Sequence, residues 1–78
     1  MEERLRNRIV VNPGVMAGKP VIKGTRIPVD AIIHRIADGM SIDEIVEDYP
    51  NLKKEDVKAA LEYSADLVRG EYTISATA

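Results

Sequence analysis

From position 28 onward the apolar residues recur at the spacing of an α-helix. Before it they come in short β-branched runs separated by turn residues. In 28-PVDAIIHRIADGM-40, Val29, Ile32, Ile33, Ile36 and Met40 stand at i, i+3, i+4, i+7 and i+11, one face of a helix. Pro28 suits the first helical position, where its missing N–H has no partner to lose. Asp30 adds negative charge to the first turn, and Gly39 suits the place just past the end. A second helix starts at once. Ser41 and Glu44 form an S-x-x-E capping box, and Met40 and Ile45 are spaced as a hydrophobic staple across it. Ile42, Ile45, Val46 and Tyr49 make its apolar face, and Pro50 ends it. A third helix runs from about Lys54 to Arg69. Val57, Ala60, Leu61, Ser64 and Val68 lie on one face with Leu67 beside it, and Gly70 stops it.

The first third reads differently. In 8-RIVVNPG-14 a β-branched run is stopped by an Asn-Pro-Gly turn. The segment 21-VIKGTRI-27 reads as two very short strands around Lys23-Gly24, with Gly24 supplying the positive φ a hairpin turn needs. The predicted fold is mainly α: a trihelical, homeodomain-like helix-turn-helix bundle preceded by a short N-terminal β element. Residues 1–8 form a basic arm, 9–70 a single domain, and 71–78, EYTISATA, a β-favouring tail.

Composition narrows this picture. A chain of 78 residues buries only about 60% of its unfolded surface, so an isolated copy is marginal. There is no cysteine and one histidine, which excludes disulfides and thiolate metal sites. An oligomer, here a homodimer, or a protein partner is the remaining support. No apolar run reaches the roughly 18 residues of a membrane span. The charged start is not followed by a signal-peptide apolar region, so the expected setting is cytoplasmic, away from membranes. Charge is uneven. Residues 1–36 hold seven Lys/Arg and three Asp/Glu, a net of +4; residues 37–78 hold four and ten, a net of −6; together they make the −2 of the whole chain.

The stretch 18-GKPVIKGTRIPV-29 is no phosphate loop. Gly14 and Gly18 stand one residue too close for G-x-x-x-x-G-K-[ST], Pro20 follows Lys19, and no helix follows. A turn leading into a helix start is the simplest reading, and it coexists with a basic surface. Arg4, Arg6, Arg8, Lys23 and Arg26, with Lys54 and Lys58 at the start of the third helix, are the candidate DNA-binding residues. Arg26 is also placed to pair with a carboxylate of the second helix. The acidic far end, with Glu62, Asp66, Tyr72 and Ile74, is the candidate partner-binding region. His34 falls on the polar face of the first helix, and Asp43, Glu44, Glu47 and Asp48 read as a solvated acidic face. No residues are assigned to catalysis, a metal or a cofactor; a nucleophile–base pair in a closed pocket has too few groups to draw on.

The runs G-K-P-V-I-K-G-T-R-I-P-V, I-A-D-G-M-S-I-D-E-I-V-E-D-Y-P-N-L and V-K-A-A-L-E-Y closely resemble a family of small bacterial and archaeal proteins, domain of unknown function 433. The resemblance covers about residues 9–68. Gly18, Pro20, Ile22, Gly24, Thr25, Arg26 and Ile27 match one signature element, and Gly39, Ser41, Ile45, Tyr49, Pro50 and Leu52 match the other. It implies a helix-turn-helix protein and an antitoxin role, with a PIN-like nuclease toxin as partner and its own promoter, double-stranded DNA, as a second target. The alternative is a protein-interaction module of the same fold that reads no DNA. One position departs from the family pattern. Lys53 stands where members often carry Thr or Ser to cap the third helix, so that helix is expected to fray at its start or to use Asn51.

Overall fold

A computed structural model describes residues 2–14 and 16–70. The order is α1 (Glu3–Arg6), β1 (Ile9–Val11), β2 (Pro20–Ile22), α2 (Val29–Ala37), α3 (Ile42–Asp48) and α4 (Lys54–Arg69). The molecule is mainly helical, with a two-stranded antiparallel sheet in which Ile9 faces Ile22, Val10 faces Val21 and Val11 faces Pro20. No described helix is long and apolar enough to cross a membrane.

The helix ends follow local chemistry. Pro28 is extended (φ −73°, ψ 149°) and caps α2 from outside, where the sequence placed it as the first helical residue. It is held there by a single-residue bridge to Val21. At the other end Gly39 takes φ +94°, Met40 N–H donates to the Arg35 carbonyl and Gly39 N–H to that of Ile36. This Schellman pair turns the chain directly into α3. There the Ser41–Glu44 box forms as expected: Glu44 N–H donates to Ser41 Oγ at 3.1 Å and Ser41 N–H to Glu44 Oε1 at 2.8 Å. The start of α4 departs from expectation. Neither fraying nor Asn51 is needed, because the Lys53 N–H donates to Asp56 Oδ2 at 2.9 Å. Lysine has no acceptor, so this is half of a capping box.

The sheet also differs from the sequence reading. β2 pairs along its length with β1, which the sequence reading left without a partner; the expected pairing with the segment after Gly24 forms only at the Val21–Pro28 bridge and the 3.0 Å bond from Ile22 N–H to the Ile27 carbonyl. Residues 22–27 form a turn in which Gly24 takes φ +80° as predicted. The Ile22 carbonyl accepts from Thr25 N–H at 3.0 Å and from Thr25 Oγ1 at 2.7 Å; Ile27 N–H donates to Thr25 Oγ1 at 3.0 Å. Between the strands, Met16 (φ +52°) and Ala17 (φ +56°) sit in the left-handed region, which costs a residue with a Cβ about 1 kcal/mol or more.

The core is aliphatic, as the composition requires. Ile22, Val29, Ile32, Ile45, Leu52, Val57 and Ala60 are buried together, and Ile9, Ile27, Ile33, Ile36, Met40, Val46, Tyr49 and Tyr63 pack around them. Each full burial of an aliphatic side chain stabilises by about 1.5–3 kcal/mol. On α4 the buried side is rotated from the predicted face. Asp56, Val57, Ala59, Ala60 and Asp66 are buried, whereas Leu61 (37%), Leu67 (41%) and Val68 (89%) are exposed. The cause is the N-terminus. Residues 3–6, read as part of an arm, are helical; Leu5 is buried, and both α1 and β1 pack against α4. The sequence reading had no element to cover that side of α4.

Candidate functional site

Among the described residues four ion pairs join separate parts of the chain, and three of them use a residue that the sequence left open for other work. Arg8 Nη1 lies 2.8 Å from Asp56 Oδ1, so Asp56 spends one oxygen on the α4 cap and the other on the N-terminal segment. Arg35 Nη1 lies 2.8 Å from Asp48 Oδ2, and its guanidinium stacks over the Tyr49 ring at 4.7 Å. This clamp fastens α2 to α3 and engages Asp48, one of the helix-two carboxylates with which Arg26 was placed to pair. Lys54 Nζ lies 3.0 Å from Asp43 Oδ1 across the exposed junction of α3 and α4.

Four of the seven predicted DNA-binding residues come together. Arg4, Arg8, Lys54 and Lys58 line an open cleft of about 760 Å³ between α1, the start of α3 and the first half of α4. Leu5, Ile42 and Leu61 form its apolar floor. Glu2, Asp43 and Glu55 line it too, so four positive and three negative side chains leave a net of +1. Arg4 pairs with Glu2 at 3.0 Å and Lys54 with Asp43. Arg8 is a correction: it is a fastening residue, drawn onto Asp56 when Leu5 folds the N-terminal segment back. Lys23 and Arg26 are exposed on the turn before α2 and line neither this cleft nor the pocket described next. Arg6 is exposed on α1.

The predicted partner-binding set divides as well. Glu62 is exposed. Asp66 is only 6% exposed, a correction, because it shares the side of α4 that carries Asp56 and Ala59. Tyr72 and Ile74 lie outside the described residues. The acidic run on α3 has structural duties: Glu44 caps the helix, Asp43 pairs with Lys54 and Asp48 with Arg35. A second, smaller pocket of about 280 Å³ lies between α2 and the far half of α4, floored by Val29, Ile33, Tyr63 and Leu67. His34 and the Lys19–Asp30 pair (3.3 Å) line it. The Ser64 hydroxyl there donates to the Ala60 carbonyl at 2.8 Å.

Sequence reasoning missed the exposure of apolar residues on the cleft floor and farther along α4. Ile42 (36%), Leu61 and Val68 were all assigned to buried helix faces. The signal that could have found them is the width of the apolar sector on α4, more than two short helices can cover.

The model of a family described as "Protein of unknown function (DUF433)" matches residues 9–64. A crystal structure of a DUF433 member from Anabaena variabilis ATCC 29413 is similar over 86% of this chain and 66% of that one, with a TM-score of 0.76 and 34% identity. An uncharacterized protein of Sinorhizobium fredii, y4eO, is 33% identical over 66 residues, 83% of this chain but only 30% of that protein. An uncharacterized protein of Archaeoglobus fulgidus is 79% identical over 24 residues, 31% of this chain and 67% of its own length. The chain thus spans under a third of the Sinorhizobium relative.

Proposed function

As the chain belongs to the DUF433 family, we propose that it acts as an antitoxin-type binding protein, non-catalytic and cytoplasmic, which grips a PIN-like nuclease toxin. The observation that carries this is the open cleft with its apolar floor and balanced charge. Protein interfaces combine an apolar centre with a polar rim of both signs. Duplex DNA instead rewards a surface that neutralises many phosphates, and the cleft's net of +1 offers little of that. The partner class comes from the family resemblance; the cleft supplies the surface.

Double-stranded DNA is the second reading. The order α2, α3, α4 with short turns supports a homeodomain-like helix-turn-helix arrangement with α4 as the reading helix. Lys54 and Lys58 sit in its first turns, but Lys54 is paired with Asp43. Contact with DNA is therefore the weaker activity.

The test is calorimetric titration of the full chain with a purified PIN-like nuclease from the same organism, followed by a cleavage assay. A stoichiometric complex with nuclease activity suppressed is expected, and Leu61→Glu on the cleft floor weakens it at least tenfold. No heat and no inhibition at micromolar concentrations overturn the reading. A mobility-shift assay on promoter DNA, run with Lys58→Glu alongside, decides the second.

A further inference from the structure

Continuing from the cleft at Leu61, the outer side of α4 carries an apolar strip that no described element covers. Leu61, Ala65 and Val68 follow one another at i, i+4 and i+7 and are all exposed. Val68 is 89% exposed, and no described residue shields it. The strip's outer flank carries Glu62 at the Leu61 end and Arg69 at the Val68 end, both exposed and two helical turns apart.

We propose that this strip is a self-association face whose occupant is a second copy of the chain, docked with the two α4 helices antiparallel. The charges select that occupant and that direction. A two-fold axis near Ala65 sets Glu62 of each copy toward Arg69 of the other, so the face is complementary to itself twice over. Parallel docking puts the two charged flanks on opposite sides of the seam and forms neither pair. Leu61 then meets Val68 of the second copy, with the small Ala65 at the crossing, where it lets the helices approach closely. A 16-residue helix is about 24 Å long and about 10 Å wide, a footprint on the order of 250 Å² per copy. That is a small interface, so the association is weak and reversible. It gives a marginal small domain the support its cysteine-free sequence cannot draw from disulfides.

Sedimentation velocity on the full chain tests this without any nuclease, so its outcome is separate from that of the toxin titration. A reversible dimer populated at about 100 micromolar is expected, as suits an interface of the weak class. Val68→Glu raises the dissociation constant at least tenfold, and because Val68 is exposed the monomer's circular dichroism and melting stay unchanged. Glu62→Arg and Arg69→Glu each weaken the dimer a few-fold, and the double variant restores it. A wild-type chain that stays monomeric to about 1 mM overturns the proposal. So does a dimer equally stable in Val68→Glu, or a charge swap that fails to restore.

Discussion

Asp56 holds two jobs with one carboxylate. Oδ2 accepts the Lys53 N–H and Oδ1 takes the Arg8 guanidinium, and the residue is 7% exposed. A buried acceptor facing a cation is costly to neutralise, because Arg8 keeps its charge and loses its partner. Asp56→Asn preserves shape and an amide oxygen for the cap but removes the charge. It should lower stability by about 1–3 kcal/mol, within the range for a charged hydrogen bond. Asp56→Ala should cost more than Asp56→Asn, since it removes the cap as well. Urea denaturation of the three proteins checks the order. None of this was visible at the residue scale in the sequence. Arg8 and Asp56 are 48 positions apart, and a basic residue near a chain start reads as solvated until something shows which way the segment folds.

Among the elements, legibility tracked how local the cause is. The Ser41–Glu44 box, the glycine ends of α2 and α4 and the positive φ of Gly24 depend on neighbours within a few residues, and all were readable. The β1–β2 pairing depends on register across a connection of eight residues, 12–19, and was not read, whereas the local pairing across Gly24 was read and forms in part. The face of α4 failed for a related reason, because its buried side is set by α1 and β1 from the opposite end of the chain. The half-capped start of α4 gives the prediction at this scale. Lys53 is already extended (φ −111°, ψ 163°), as a capping residue should be. The Asp56 N–H now donates to the Lys53 carbonyl at 2.9 Å; Lys53→Ser adds a hydroxyl that can share this donor and completes the box. The thermal midpoint should rise, with a gain of about 0.5–1 kcal/mol by chemical denaturation; a loss removes the capping account of this helix start.

The described residues form a bundle fastened at its joints by ion pairs that range from exposed to largely buried, with the candidate cleft where α1, α3 and α4 meet. Membership of the family was legible because its signature lies in turns and caps. The cleft was legible only in part: Lys54 and Lys58 were singled out, but the acidic residues that balance them and the apolar floor beneath them come from three separate elements. The Arg8–Asp56 fastening also gives the chain a history. Arg8 leaves the ribosome 48 residues ahead of Asp56, about 2–10 s earlier at synthesis rates of about 5–20 residues per second. Throughout that interval Leu5 has no surface to bury against. In refolding, closure over this span is expected to come after the local turns of α2, α3 and α4. Asp56→Asn should therefore speed unfolding in stopped-flow experiments while leaving the folding rate almost unchanged. The side of this contact that is made earlier is then the last to be secured, and the first to let go.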